Sequence, residues 1–191
     1  MSLIWSLSAF ALQPDPSDPS PFNVLGFHLT KDKIRGIENK IPGLKVFKAA
    51  SGDESEHNYD QFCYVGSDGT RATFSSNFSY SGDEIAEYFI ERKGAGSDGI
   101  CAKKSDLNSK IKIPFGLWLG MSKPEVENKL GKSQDPAQKI QIGPTYKNLD
   151  VYTFSQKKSK LSHTLNIDIG YDAKKQVNTI YVSFEAEPLN L

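Results

Sequence analysis

Two patterns of hydrophobic and polar positions run along the chain: a three-and-four spacing in two short stretches and a two-residue alternation through much of the rest. The stretch 117–131 organises the reading. An apolar run, Leu117-Trp118-Leu119, reaches Gly120, and Ser122 is placed to cap a helix with Pro124 and Glu125 in its first turn. Met121, Val126 and Leu130 supply buried positions before Gly131 stops the helix. The pattern predicts a strand, a short capped helix and a glycine stop. A weaker copy sets Leu29, Thr30 and Ile34 against Met121, Ser122 and Val126, and the recurrence of Ile34, Ile37 and Ile41 predicts a helix over 30–41, ended by Pro42-Gly43.

Alternation then predicts strands. In the first half these are 44–49, 59–65 and 70–80, the last with Phe74, Phe78 and Tyr80 on one face; an acidic loop over 51–58 and a tight turn at Gly66-Ser67-Asp68-Gly69 separate them. Residues 85–92 fit a helix behind a capping box or a strand. The second half decides for a strand, because the hairpin from Tyr171 to Val177 matches Tyr80 to Ile85 with one inserted residue. Strands over 137–142, 149–156, 165–171 and 177–185 complete the second half, with 157–162 as a basic hairpin tip. The fold class expected is α+β: two tandem repeats of a short helix packed on a four-stranded antiparallel sheet, together forming a concave surface.

The repeats are bounded as 22–94 and 113–191, with a connector over 95–112 that begins in the Gly-rich run Gly94 to Gly99. Residues 1–21 differ in kind. Leu3 to Leu12 is an apolar run ending in Ala9-Phe10-Ala11, the small-x-small pattern of a secretory signal remnant, although a mature strand also fits and no basic n-region precedes it. Pro14, Pro16, Pro19 and Pro21 then mark a solvated tether.

Composition narrows the function classes. Lys plus Arg equals Asp plus Glu at 23 each, so no bulk field concentrates nucleic acid, and no stretch is apolar and long enough for an integral membrane span. Cys63 and Cys101 are the only cysteines. They are either a disulfide, closing a loop worth about 4 kcal/mol in the chain-entropy model, or two unrelated buried thiols. His28, His57 and His163 are scattered, so no metal and no cofactor are expected. Asp53, Glu54 and Glu56 lack the ligand order of a calcium loop, and Asn77-Phe78-Ser79 matches a glycosylation acceptor only by formula. Neither a Gly-x-Ser-x-Gly elbow nor a phosphate-binding loop is present, and no catalytic residues are assigned.

The Gly120-Met121-Ser122 start, the helix carrying Val126 and Leu130, Gly131, and a meander ending in a Val-x-x-Ile-x-Val strand resemble the β-lactamase inhibitory protein fold and the related small outer-membrane assembly lipoproteins of the SmpA/OmlA (BamE) type. The tandem arrangement favours the inhibitor side of this resemblance. It implies a concave sheet surface that grips a partner, with an acidic residue in a turn of the first repeat, here Asp68, offered to the target's cleft. It also implies a cysteine at the position of Cys63, whereas Cys101 departs from the inhibitors' pattern.

Alternation independently assigns the surface. If Tyr88, Ile90, Ile180, Val182 and Phe184 face the helices, then Glu87, Phe89, Thr179, Tyr181 and Ser183 face outward, either as a protein interface or covered by a loop or the other repeat. The function expected is an exported, periplasmic or secreted, non-enzymatic module that binds another protein, an enzyme or an envelope component, through Asp68 and this face. The alternatives are an envelope assembly factor of the BamE type and a small-ligand-binding protein or enzyme, which requires converging titratable groups of shifted pKa.

Overall fold

Alternation is the pattern the chain obeys almost throughout. In the computed structural model, which describes residues 23–50, 58–76, 83–92, 99–142, 145–158 and 161–188, the chain is mostly β. The strands are β1 (Asn23–Val24), β2 (Phe27–His28), β3 (Phe47–Ala50), β4 (Asn58–Val65), β5 (Thr70–Ser76), β6 (Ile85–Arg92), β7 (Ala102–Lys103), β8 (Asp135–Ile142), β9 (Thr145–Lys158), β10 (Leu161–Tyr171) and β11 (Val177–Pro188). β1 and β2 form a small hairpin, and the other nine make one sheet in the order β3-β4-β5-β6-β11-β10-β9-β8, with β7 parallel to β4. The strand expected over 85–92 is present as β6. The apolar run 3–12, the tether 13–21, the residues of the acidic loop 51–57, and Asn77, Phe78 and Tyr80 lie outside the described residues.

This overturns the α+β expectation of two tandem helix-on-sheet repeats. The two meanders, β3 to β6 and β8 to β11, are not separate sheets, because β6 pairs with β11 from Thr179↔Glu91 through Tyr181↔Phe89 to Ser183↔Glu87. Their apolar faces join one continuous core, from Phe62 and Phe74 through Tyr88 and Ile90 to Ile180 and Ile167. Cross-strand aromatics fill the first half of it. Phe62 and Phe74 are register partners stacked with centroids 4.8 Å apart, and Phe27 from the β1–β2 hairpin meets both edge-on at 5.0 and 5.1 Å.

The helix expected over 30–41 does not form. Thr30 and Gly36 have φ of 68° and 80°, and the backbone bonds go to the start of β6: Thr30 N–H donates to Ile85 O (2.8 Å), Ile34 N–H to Asp83 O (2.7 Å), and Ile85 N–H to Asp32 O (2.8 Å). A 3-10 turn at Ile37–Asn39 is all the helix that remains. Ile34 and Ile37 are nevertheless buried, so their spacing reported burial rather than helical winding.

The strand expected at 117–119 is also absent. A 3-10 turn at Pro114–Gly116 and an isolated bridge from Ile113 to Leu117 stand there instead, with Leu117 and Leu119 buried. Gly120, at φ +99°, donates its N–H to Val177 O, and Val177 N–H returns a bond to Met121 O. The helix that follows, α1 (Lys123–Leu130), forms as its sequence predicts. Glu125 Oε2 accepts both the backbone N–H and the hydroxyl of Ser122 at 2.7 Å, Gly131 ends the helix, and Val126 and Leu130 enter the core. Lys123 ties the helix start to buried Asp150 at 2.6 Å.

The connector is fastened to the sheet by three devices. Cys63 and Cys101 form a disulfide, β7 pairs with Tyr64 and Val65, and Leu107 is fully buried against the β4–β5 turn. There Gly66 is indispensable, since a Cβ would stand 1.9 Å from the Leu107 carbonyl oxygen. Gly66→Ala is expected to lower unfolding free energy in urea by about 2 kcal/mol through this overpacking; an unchanged midpoint would show that 104–112 does not rest on the turn. Replacing both cysteines by serine, with a sequence separation of 38 between them, is expected to cost about 4 kcal/mol in the same assay.

Candidate functional site

The sheet has a second face, turned away from the core, and the β6–β11 pairing builds it from three cross-strand rows. The middle row runs Cys63–Thr73–Phe89–Tyr181–Asp168–Val151 from β4 to β9. One row toward β11's far end stand Gln61, Ser75, Glu87, Ser183, Asn166 and Thr153, and on the other side Arg71, Glu91, Thr179 and Gly170. Each row takes every second residue of its strands, which is why they share a face. Glu87, Phe89, Thr179, Tyr181 and Ser183 are thereby gathered into one patch.

Their exposure differs from the expectation of an open surface. Thr179, Ser183 and Asp168 are buried at 3%, 5% and 4%, with Thr73 and Ser75 also buried, while Glu87, Phe89 and Tyr181 are partly exposed. In the patch the small hydroxyl side chains are buried and the two aromatic rings beside them are partly exposed. Gly170 makes room for these side chains: a Cβ there would meet Leu149 Cδ2 and Thr179 Cβ at 2.9 Å each.

The patch brings together the carboxyls of Glu87, Glu91 and Asp168. Burial pushes the Glu87 carboxyl up to about 7; the Tyr181 hydroxyl bound to it pulls the other way, and nearby Glu185 adds to the rise. Burial alone lifts Asp168 to about 7, and its Oδ1 is sealed from solvent with no hydrogen-bond partner. Burial, the charges of Glu87 and Asp168 and the bond to Glu87 hold Tyr181 well above the ordinary phenol range. Glu91 is neutralised by Lys147 at 2.5 Å, whose ammonium also sits 4.7 Å from the centroid of Phe89. Thr153 Oγ1 donates to Asn166 Oδ1 at 2.9 Å on the β9 side of the patch.

Asp68 is elsewhere. It is exposed in the β4–β5 turn, where Oδ1 accepts Thr70 N–H (3.0 Å) and Oδ2 accepts Ser109 N–H (2.8 Å). Partial desolvation raises its pKa, but the bonds from Ser109 and Thr70 together hold it at about 2. Its carboxylate thus ties the turn to the connector. Cys63 and Cys101 lie at the β4 edge of the patch, with Arg71 Nη2 3.9 Å from Cys63 Sγ.

Among the described residues no three His, Cys, Asp or Glu side chains converge as a metal site, and His28 and His163 sit apart. A cavity of about 240 Å³ beside β3 is lined by Arg35, Glu38, Val46, Lys48 and Asp60, none of which belongs to the patch. Of its charged lining, Lys48 pairs with Asp60 at 3.5 Å, Arg35 reaches out to Asp83 at 3.1 Å, and Glu38 Oε2 accepts the Val46 N–H at 3.3 Å. No described helix is long and apolar enough to cross a membrane.

Sequence reasoning missed Asp168, Glu91 and Lys147. Alternation along β10 opposes Asp168 to Ile167 and so assigns it to this face, but only the β6–β11 register brings it beside Tyr181. No family model matches the chain, and neither curated proteins nor solved structures give a match.

The two raised acids set a pH dependence. Folded Glu87 and Asp168 bind protons more tightly than their unfolded counterparts, so their full stabilising effect holds below about pH 4 and is lost as pH rises through 7. For buried Asp168 the loss is a few kcal/mol at most, since each tenfold gain in proton affinity on folding is worth about 1.4 kcal/mol. Urea unfolding is expected to show lower stability at pH 8 than at pH 5, and Asp168→Asn is expected to flatten that slope. Stability rising from pH 5 to pH 8 would contradict the desolvated placement of these carboxyls.

Proposed function

We propose that this chain is an exported, non-enzymatic module that binds another protein through the sheet face centred on Phe89 and Tyr181. The observation that carries the reading is the cross-strand pair of partly exposed aromatics set beside buried hydroxyl side chains. Large, conformationally stiff rings next to small polar groups concentrate binding energy in few side chains, as interface hot spots do. The Cys63–Cys101 disulfide belongs to an oxidising compartment and supports a periplasmic or secreted location. Blocking the cleft of a periplasmic or secreted enzyme is the finer form of this proposal, and association with an envelope assembly complex is its alternative. Because Asp68 is engaged by Thr70 and Ser109, it contributes to a partner only through the exposed remainder of its carboxylate.

One observation favours a second reading, a small-ligand site: Glu87 and Asp168 converge on Tyr181 with raised pKa values.

Retention of partners from envelope and secreted fractions on immobilised protein tests the first reading. Phe89→Ala and Tyr181→Ala are each expected to weaken the retained complex at least tenfold, about 1.4 kcal/mol or more, with circular dichroism melting curves confirming that each variant is folded. Undiminished retention by both folded variants would reject this face.

A further inference from the structure

The cavity beside β3 lies where the core layer ends at the edge of the sheet. β3 is the terminal strand of the sheet order, and Asp60 in β4 stands two residues before the buried Phe62, so it shares the core side with that ring. Residues 35–38 send Ile37 into the core and form the other wall with Arg35 and Glu38. Two cationic groups, Arg35 and Lys48, and two carboxylates, Glu38 and Asp60, thus surround about 240 Å³ next to the aliphatic Val46. Each is placed without being used up. Glu38 Oε2 accepts the Val46 N–H, which leaves the second carboxylate oxygen, and Arg35 gives one of five guanidinium donors to Asp83. Lys48 and Asp60 are register partners across β3 and β4. The Arg35 and Lys48 side chains are 76% and 69% exposed, so both of their ion pairs are weak and open to exchange with another partner.

We propose that this cavity binds a small zwitterion, an α-amino acid with an aliphatic side chain, at a site separate from the Phe89–Tyr181 face and independent of the protein-binding reading. The mixed lining selects for both signs at once. A lone anion meets Glu38 and Asp60, a lone cation meets Arg35 and Lys48, and like charges set side by side are strongly unfavourable. An uncharged apolar molecule strips water from all four groups and gives nothing in return. A molecule with an ammonium and a carboxylate a few atoms apart answers each group: its carboxylate takes the Arg35 fork and the Lys48 ammonium, its ammonium donates to Glu38 and Asp60, and its side chain rests on Val46. The volume lies below the range of about 300–1,000 Å³ that drug-sized ligands occupy, which fits a ligand no larger than an amino acid.

The probes are L-alanine and L-leucine, titrated into the full chain while its backbone amide resonances are followed. At least one of them is expected to give saturable shifts centred on residues 35–38 and 46–48, with the amides of Phe89 and Tyr181 unmoved. N-acetyl-leucine, which lacks the ammonium, and leucinamide, which lacks the carboxylate, are each expected to bind roughly tenfold or more weakly than leucine. Arg35→Gln and Glu38→Gln, both at exposed positions and each checked for an intact melting transition, are expected to lower the affinity at least severalfold. Lys132→Gln, at an exposed lysine outside the lining, is expected to leave it unchanged. No saturable shift with either amino acid, shifts centred elsewhere, equal binding of either blocked analogue, or undiminished binding by both glutamine variants of the lining overturns the proposal. None of these results bears on partner retention through Phe89 and Tyr181, so the two readings stand or fall separately.

Discussion

The pairing of β6 with β11 is the constraint on which the other features depend. Five register pairs, Thr179↔Glu91 to Ser183↔Glu87, convert two four-stranded meanders into one sheet. Side chains alternate along both strands, so the same pairing has two outcomes. On one face it joins Tyr88 and Ile90 to Ile180 and Val182, all essentially inaccessible to water. On the other it sets Glu87, Phe89, Thr179, Tyr181 and Ser183 side by side. Burial of the first face stabilises the second, which accepts desolvated carboxyls that an open surface would leave hydrated.

The remaining elements hold this sheet from its edges and from the core side. Residues 30–34 bond to the beginning of β6, and residues 120–122 bond to the beginning of β11, so the two strands of the seam are each pinned where they start. α1 adds its Val126 and Leu130 face, while the disulfide, β7 and the Asp68–Ser109 bond fasten the connector across β4. These contacts link residues far apart in sequence, the slow-forming kind, and the disulfide limits the chain entropy that opposes them.

Much of this was legible in the sequence where the controlling physics is local. The capping pair Ser122 and Glu125, Gly131 after the helix, the turn at Gly66 to Gly69 and the alternation of β10 and β11 are all short-range signals. Reading failed where tertiary contacts replaced local ones. Ile34, Ile37 and Ile41 have helical spacing, but Thr30 and Gly36 take left-handed backbone and the segment's donors find β6 rather than their own turn. Leu117 and Leu119 have the apolar character of a strand, yet they only bridge and bury. Strand alternation assigned the residues of the patch to one face, but it contains nothing about pairing between distant strands. The burial of Thr179 and Ser183, and the meeting of Tyr181 with Asp168, follow from that pairing alone.

The central claim is that the seam is as firmly held as the core it unites. Native-state amide hydrogen exchange of residues 88–90 and 180–182, compared with 166–168 at the middle of β10, tests it most directly. The account predicts that all three sets exchange only through global unfolding, with one common opening free energy equal to that from denaturant titration. Seam amides that open at a clearly lower free energy than β10, with the two meanders showing separate protection, would contradict it.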